Sequence, residues 1–419
     1  MAMWQVEHAC PQCSAPVTLE ETDRLFTCPF CKVRLYLASD GALSYYLDPK
    51  TPDPDTLYVP YGRFRGMGFA VGTAEAGSTL IDGNSIARPM PPCPESLGVR
   101  PQAMKLHLSG EGRVGRFVPP SPAPIDEAAL AGLTRALPAF AGKNPPGSVL
   151  WRFLREAGGL IYSPFRVMGR DVIDGVTQQT LGTLPDGEAG VSFQPPAGTK
   201  PPNDVVYLPA LCPNCGADLS AAPESVALPC TNCGLLWEPS TEGMAERPFS
   251  LVPAPEGDAL FLPFWRMLAR VEGLESFLHV DPLKHIPPAY GPPKPISFPE
   301  FSLWAPAFFI NPVLFLRLCE RATIWQPADC GEKGAARTLR PDLYPVTLPG
   351  PEARKLLSLI LTLVVADRGR VLPPILRADI EAVEQSLVYL PFQKRAGEAT
   401  CAEMRAAVEL NALKYGRNL

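Results

Sequence analysis

Cys10-Pro11-Gln12-Cys13 is followed, after fourteen residues, by Cys28-Pro29-Phe30-Cys31. The same arrangement returns at Cys212-Pro213-Asn214-Cys215 and Cys230-Thr231-Asn232-Cys233, again with fourteen residues between the pairs. Two thiolates from one Cys-x-x-Cys turn and two from a second complete a tetrahedron around zinc, with bonds of about 2.3 Å. The sequence therefore predicts two metal sites. The predicted ligands are Cys10, Cys13, Cys28, Cys31, Cys212, Cys215, Cys230 and Cys233.

The residues around the first two cysteine pairs predict a small β module. Val17 to Leu19 and Arg24 to Thr27 have the composition of short strands, and Val33 to Leu37 alternates like a third strand. The segment resembles the rubredoxin-like zinc ribbons found in many bacterial proteins, and the chain contains two copies. The resemblance implies two structural zinc ions. Iron held by the same thiolates is the alternative, and it would imply an electron carrier. Rubredoxins usually carry a glycine and an aromatic residue where this chain has Ser14 and Ala15, which favours zinc.

Composition predicts a folded protein with several domains. The chain has 419 residues, of which 46% are hydrophobic and 19% are charged, so it can bury a sizeable core. It contains 51 prolines spread along its length, and proline interrupts helices and central strands. We therefore expect an α+β, strand-rich fold with short strands and ordered loops.

Aromatic segments repeat in register with the cysteine pairs. Tyr58-Val59-Pro60-Tyr61 and Phe261-Leu262-Pro263-Phe264 are 203 positions apart, and Cys10 and Cys212 are 202 apart. This register predicts a duplicated unit, each copy a zinc ribbon plus a β domain. A later pair, Tyr162-Ser163-Pro164-Phe165 and Tyr389-Leu390-Pro391-Phe392, lies further from its predecessor in the second half, which predicts an insertion there. We expect these segments to be core strands whose proline marks an edge or a bulge. An aromatic ligand groove is the alternative.

These signals divide the chain into five predicted parts. They are a first zinc ribbon (1–50), a first β-rich domain (51–182), a linker (183–205), a second zinc ribbon (206–245) and a second β-rich domain with a helical insertion and a C-terminal helix (246–419).

The insertion has helical signals. Asn311 and Pro312 predict the start of a helix that ends near Trp325. A second, largely buried helix is expected from Pro351 to Asp367; a helix that binds a partner or dips into a membrane is the alternative. Thr400 and Glu403 form a capping box for a C-terminal helix ending near Gly416, and a further helix is predicted over 148–157.

No catalytic residue is predicted. The chain has four histidines, and none lies in a zinc-protease or nucleophile signature. His8 lies close to Cys10, but four cysteines already complete the site. His279 and His285 flank acidic and basic neighbours, and we expect them to be ordinary surface histidines. Cys330, which precedes a glycine, is the cysteine outside the pairs whose reactivity merits a test.

Charge and hydrophobicity favour a cytoplasmic protein that binds other proteins. The net charge is −5, and the second ribbon carries three acidic and no basic residues between Ala210 and Glu238, so nucleic-acid binding is the weaker alternative. No signal peptide is evident, and the longest apolar run, Leu356 to Ala366, is too short to cross a bilayer as a helix. Leu235, Leu236 and Trp237 form an apolar tip that docks on a partner or on the chain's own β domain. We predict a non-enzymatic adaptor or scaffold.

Overall fold

The computed structural model describes most of the chain. The described residues are 4–109, 115–122, 124–138, 140, 147–184, 205–254, 258–272, 302–327, 342–365 and 368–415. The predicted linker, 183–205, falls outside these ranges except at its two ends, and the predicted domain boundaries stay predictions.

The first half (4–184) is built mainly of strands. Its strands are β1 (Gln5–Ala9), β2 (Pro16–Glu20), β3 (Leu25–Thr27), β4 (Arg34–Ser39), β5 (Leu43–Tyr46), β6 (Leu57–Val71), β7 (Ala76–Ile86), β8 (Leu106–Leu108), β9 (Arg116–Phe117), β10 (Leu150–Met168), β11 (Asp171–Asp174) and β12 (Thr180–Thr183). Its helices are α1 (Arg100–Ala103) and α2 (Pro124–Ala136).

The second half (205–415) contains more helix. Its strands are β13 (Val205–Pro209), β14 (Leu228–Pro229), β15 (Leu236–Ser240), β16 (Gly243–Glu246), β17 (Phe249–Leu251), β18 (Ala259–Glu272), β19 (Ser302–Pro306), β20 (Asp379–Arg395), β21 (Glu398–Cys401) and β22 (Ala406–Glu409). Its helices are α3 (Pro312–Trp325), α4 (Gly350–Arg354), α5 (Leu357–Val364), α6 (Arg368–Ile375) and α7 (Leu410–Tyr415). The prediction of an α+β, strand-rich fold with added helices in the second half is confirmed.

Each half has one long antiparallel strand pair at its centre. In the first half β6 pairs with β10, while β7 and β9 lie on the other side of β6. In the second half β18 pairs with β20, and β19 lies on the other side of β18. β5 and β17 run parallel to β10 and β20, and the hairpins β11–β12 and β21–β22 extend the same two strands. The corresponding strands of the two sheets therefore have one arrangement, as the predicted duplication requires, and the first sheet extends further through β8, β1 and β2.

A β-bulge occupies the same position in both central pairs. In the first half Glu156 is the extra residue, opposite the step from Arg65 to Gly66. In the second half Val383 is the extra residue, opposite the step from Leu268 to Ala269. Because a bulge bends its strand and increases the local twist, its repetition gives the two sheets a related curvature.

The helical insertion lies between the two sheets. α3 begins as predicted, because the Asn311 side chain accepts a hydrogen bond from the Val313 amide at 3.0 Å, and it ends at Trp325. Phe315 on α3 stacks on Phe69 of β6, with ring centroids 5.9 Å apart. Residues of β6 and β10 share one apolar core with the second half. The two halves therefore form a layered body with helices in the middle.

The predicted helix from Pro351 to Asp367 is divided in the structure. α4 ends at Arg354, and α5 runs from Leu357 to Val364 with all eight residues buried. The prediction of a largely buried core segment is confirmed, but its predicted length was wrong. Across the described ranges, no helix combines the length and apolar character needed to cross a bilayer.

One other helix prediction is wrong, and another is wrong in its start. The segment 148–157 forms the start of β10, where Leu150 to Ala157 pair with β6, so long-range pairing overrides helix-favouring composition. The predicted C-terminal helix is present as α7, but it begins at Leu410, because Thr400 lies in β21 and β21 and β22 form a hairpin between 398 and 409. Neither Thr400 nor Glu403 caps a helix.

Candidate metal centres

The four Cys-x-x-Cys turns have one backbone arrangement. In each turn the amide of the first cysteine donates to the carbonyl five residues later, as Cys10 does to Ala15 at 2.8 Å. The amide four residues later donates back to the first cysteine, as Ser14 does to Cys10 at 2.8 Å. The equivalent distances in the other three turns lie between 2.8 and 3.1 Å. These paired bonds hold both thiols of each turn on one side of the backbone.

The fifth residue of every turn has a left-handed backbone. Its φ is 59° at Ser14, 63° at Lys32, 72° at Gly216 and 76° at Gly234. Glycine adopts this conformation without strain, whereas other residues do so at a cost. The second ribbon therefore has the residue type that its turns require, and the first ribbon keeps the same turns with serine and lysine.

The turns bring each set of four sulfurs together. Sγ–Sγ distances are 3.8 Å for Cys10–Cys31 and 3.7 Å for Cys13–Cys28. In the second ribbon they are 3.6 Å for Cys212–Cys233 and 3.5 Å for Cys215–Cys230. All four sulfurs of each set lie within 4.8 Å of one another.

These distances fit a metal ion. A tetrahedron with metal–sulfur bonds of about 2.3 Å has edges of about 3.8 Å, whereas a disulfide needs about 2.05 Å. The thiols are therefore spaced for metal coordination and not for disulfide bonds. Four soft thiolates in this geometry suit zinc or iron. Every position of the tetrahedron is filled by the protein, which is typical of a structural site and leaves no open position for a substrate.

Each site is anchored in an apolar core. The first cysteine of each turn is buried, and Cys28 and Cys230 have no exposed surface. The second cysteine is exposed at Cys13, Cys31 and Cys215, and partly exposed at Cys233. The metal would therefore lie at the edge of each module, joining its core to its surface.

The second site has amide side chains beside its thiols. A hydrogen bond from Asn232 is the main reason that the pKa of Cys215 is lowered, to about 6. Burial alone would raise the pKa of Cys233, but hydrogen bonds from the Leu235 amide and from Asn214 lower it. The equivalent residues of the first ribbon are Gln12 and Phe30, and Phe30 is 61% exposed. The second site therefore has side-chain amide donors to two of its thiols. In the first site burial raises the pKa of Cys28, but hydrogen bonds from the backbone amides of Cys31 and Phe30 lower it to about 6.

The two ribbons are joined through a shared sheet and core. β13, which leads into the second ribbon, pairs with β4 of the first ribbon from Val205–Ser39 to Pro209–Leu35. One apolar cluster contains Leu25 and Tyr36 from the first ribbon with Leu228 and Trp237 from the second. From the sequence we expect each ribbon to pack on its own β domain. No local sequence pattern predicts the direct contact between the two ribbons.

A buried arginine fixes the first ribbon to β6. Arg63 donates to both carboxylate oxygens of Glu21, at 2.7 and 2.9 Å, and also pairs with Asp82. Its guanidinium lies 3.7 Å from the centre of the Trp4 ring. Arg63 and Glu21 are almost fully buried, so this contact joins the ribbon firmly to the sheet.

The predicted apolar tip is mostly buried within the chain. Leu236 belongs to the core of the second half, Trp237 lies in the cluster between the ribbons, and Leu235 packs partly against that cluster. Leu236 and Trp237 are 1% and 7% exposed. These two side chains point inward after the turn and are covered by the chain itself. They therefore provide no surface for a partner.

Other candidate residues stand apart from the metal sites. His8 does not join the first cysteine cluster; its ring stacks on Tyr207 and meets Phe26 edge-on. Burial raises the pKa of the Cys93 thiol to about 12 and that of Cys401 to about 11. Cys319 is fully buried in α3. Cys330, His279 and His285 lie outside the described residues.

Comparison of the chain with protein-family models, with curated proteins and with solved structures finds no match. The functional interpretation therefore depends on the geometry of the cysteine clusters and on the surfaces around them.

Proposed function

We propose that this protein is a non-enzymatic scaffold or adaptor whose two ribbons are each held folded by a structural zinc ion. The observation that carries the proposal is the pair of closed four-thiolate clusters. A site with four protein ligands supplies folding energy and has no open position for catalysis. We further propose a cytoplasmic location, where thiols stay reduced and available to a metal.

The surroundings of the clusters support a protein partner over a nucleic acid. Arg24 and Arg34 donate to backbone carbonyls within the ribbons, and Lys32 donates to the carbonyl of Pro29 at 2.7 Å. These contacts turn the basic groups of the first ribbon toward the protein's own backbone. The second ribbon contributes acidic groups, and each zinc–thiolate centre adds further negative charge. Phosphate binding depends on clustered cations, so these ribbons suit it poorly.

The electron-carrier alternative depends on iron. Tetrahedral thiolate sites accept iron as well as zinc, and Cys13 and Cys31 are exposed at the first site. The donors at Cys215 and Cys233 would also tune the potential of a bound iron. Metal identity therefore separates the two functions.

Metal analysis of the purified chain is the first test. We expect two zinc ions per chain, no visible absorption, and a fall in the urea unfolding midpoint when a strong chelator is added. Iron at the cysteines, with a coloured protein, would contradict the zinc scaffold and favour electron transfer. A salt-sensitive gel shift with DNA or RNA would favour the nucleic-acid alternative.

Partner capture is the second test. Chemical crosslinking in the source cell should give a protein that is bound by the wild-type chain and lost in Cys230→Ser, whose second ribbon lacks a ligand. Cys93→Ser removes a thiol outside both clusters and is the matched control. Equal capture by the wild type and Cys230→Ser would contradict a role for the second ribbon in binding.

A further inference from the structure

A cavity lies between the two halves, away from both metal centres. Its volume is about 430 Å³, and it is lined by α2 and β10 from the first half and by the start of α5 and of β20 from the second. Small-molecule sites in proteins commonly have about 300–1,000 Å³ and lie where domains meet. The size and position of this cavity therefore suit a small ligand.

The cavity contains a half-buried arginine, Arg152, whose described hydrogen-bond acceptors are neutral. Arg152 donates to Ser358 Oγ at 2.7 Å and to the carbonyl of Trp151 at 2.9 Å. Both acceptors are neutral, and within the described part of the chain no carboxylate lies within salt-bridge distance of Arg152. Burial lowers the pKa of Arg152. A charge removed from water is stable only when it is compensated.

Two nearby arginines, Arg65 and Arg155, have acidic partners. Arg65 pairs with Glu156 at 3.2 Å, and Arg155, three residues from Arg152 on β10, lies 3.4 Å from Asp126 and 3.8 Å from Glu352. Among the described residues, the lack of a carboxylate partner at Arg152 is therefore not a general feature of this strand. It coincides with the one stretch of β10 that lines the cavity.

The rest of the lining defines the kind of molecule that fits. Arg354 and Lys355 lie at the rim; Arg354 donates to the neutral Gln385 side chain, while Lys355 pairs with Glu352 at 2.7 Å. Trp151 and Leu130 provide an apolar wall. Two carboxylates, Asp126 and Asp379, also line the cavity, and Asp126 lies 3.4 Å from Arg155 and 3.9 Å from Lys355. The lining thus has three cations, two carboxylates and an apolar side.

We propose that this cavity binds a small organic anion, with its oxyanion headgroup on Arg152 and its apolar body along Trp151 and Leu130. A guanidinium presents a planar fork of N–H donors that matches a carboxylate or a phosphate monoester. The proposal is independent of the zinc scaffold, because no cysteine of either cluster lines the cavity.

The test uses the full zinc-loaded chain and four probes of similar shape: benzoate, phenyl phosphate, benzyl alcohol and benzylamine. Calorimetric titration and thermal shift should show binding of at least one anion, and little or none of the alcohol or the amine. Comparison of benzoate with phenyl phosphate identifies the preferred headgroup. Failure of both anions to bind, or equal binding of the alcohol, would overturn the proposal.

Variants locate the bound anion. Arg152→Gln keeps a hydrogen-bonding side chain without the charge, and should weaken anion binding about 10- to 100-fold, as expected for a lost charged hydrogen bond. Arg395→Gln makes the same change in net charge at an exposed position of β20 and should leave affinity unchanged. Ala378→Phe fills the cavity while keeping Arg152, so it provides the test if Arg152→Gln does not fold. Unchanged affinity in either cavity variant would refute the site.

Discussion

Pro60 and Pro263 occupy the same position in the two sheets. Pro60 lies opposite Tyr162 and its carbonyl accepts from Ala87 at 2.8 Å; Pro263 lies opposite Tyr389 and accepts from Ala307 at 2.9 Å. In each sheet the neighbouring strand, β7 or β19, begins its pairing one residue later. Proline has no N–H to donate, and each proline lies where the neighbouring strand is not yet paired, so no hydrogen bond of the sheet is lost. Both prolines lie inside long paired strands, which corrects the expectation of an edge or a bulge.

The same register supplies a mutation test at the repeated bulge. Arg65 and Glu156 form a buried ion pair in the first half, where the second half has Leu268 and Val383. Arg65→Leu alone leaves a buried carboxylate without this partner and should lower the free energy of unfolding by about 3 kcal/mol. Arg65→Leu with Glu156→Val should return to within about 1 kcal/mol of the wild type, because hydrophobic replacement of a buried pair is close to neutral.

Urea unfolding of the wild type, both single variants and the double variant gives the coupling energy. A double variant as unstable as the sum of the single variants would contradict the equivalence of the two bulges, because the pair would then have no mutual compensation.

The Cys-x-x-Cys turns allow a residue exchange between ribbons. Ser14 has a left-handed backbone, and Gly216 holds the same conformation with no atom near its missing side chain. Ser14→Gly should stabilise the zinc-loaded protein by about 0.5 kcal/mol, and Gly216→Ser should destabilise it by about 1 kcal/mol. The urea midpoint measures both. If both variants move the urea midpoint by the same amount in the same direction, the left-handed backbone is not the cause of the change in stability.

The metal ligands and the duplication could be predicted from sequence because they are local or periodic. The spacing of Cys10 and Cys13 specifies a turn, and the separation of Pro60 from Pro263 preserves the repeat. α3 was also predictable, because Asn311 and Pro312 act on adjacent backbone groups. In each case the physical cause lies within a few residues or in a repeated pattern.

The remaining features depend on pairing between distant segments. Leu150 to Ala157 have helix-favouring residues, but β6 supplies their hydrogen bonds and makes them a strand. The pairing of β4 with β13 joins residues separated by more than 160 positions, and neither strand encodes its partner locally. The burial of Leu236 and Trp237 and the cavity around Arg152 could not be predicted for the same reason. Both features form only when the two halves pack together.

The shared sheet predicts that the ribbons respond together to metal loss. In Cys215→Ser the second site lacks one ligand, so metal content should fall from two ions to one. Because β13 pairs with β4, hydrogen exchange should also speed up at the Leu37 amide, which donates to Arg24 at 2.8 Å in the first ribbon. We expect an increase of about tenfold, equivalent to about 1.4 kcal/mol of local opening.

Two controls accompany this exchange measurement. Cys93→Ser should retain both metals and normal exchange at Leu37, and the Leu154 amide in the β6–β10 pair should be unaffected in Cys215→Ser. Unchanged exchange at Leu37 in Cys215→Ser would show that the ribbons open independently.

Alkaline pH should destabilise the second half through Cys401. Burial in β21 raises the pKa of this thiol to about 11, above its ordinary value of 9.0. Because the pKa of Cys401 is higher in the folded state than in the unfolded state, the neutral thiol contributes to stability below pH 9. That contribution is lost as the pH rises toward 11. The loss is at most about 3 kcal/mol, since one pKa unit corresponds to about 1.4 kcal/mol.

Cys401→Ala isolates this contribution from the buried tyrosines, which also titrate at high pH. The variant should be less stable than the wild type at pH 8, because it leaves a small void in the core. The difference should shrink or reverse by about pH 11, where only the wild type must bury or expose a thiolate. Urea midpoints measured across this range test the effect, and parallel curves for the two proteins would mean that folding does not change the pKa of Cys401.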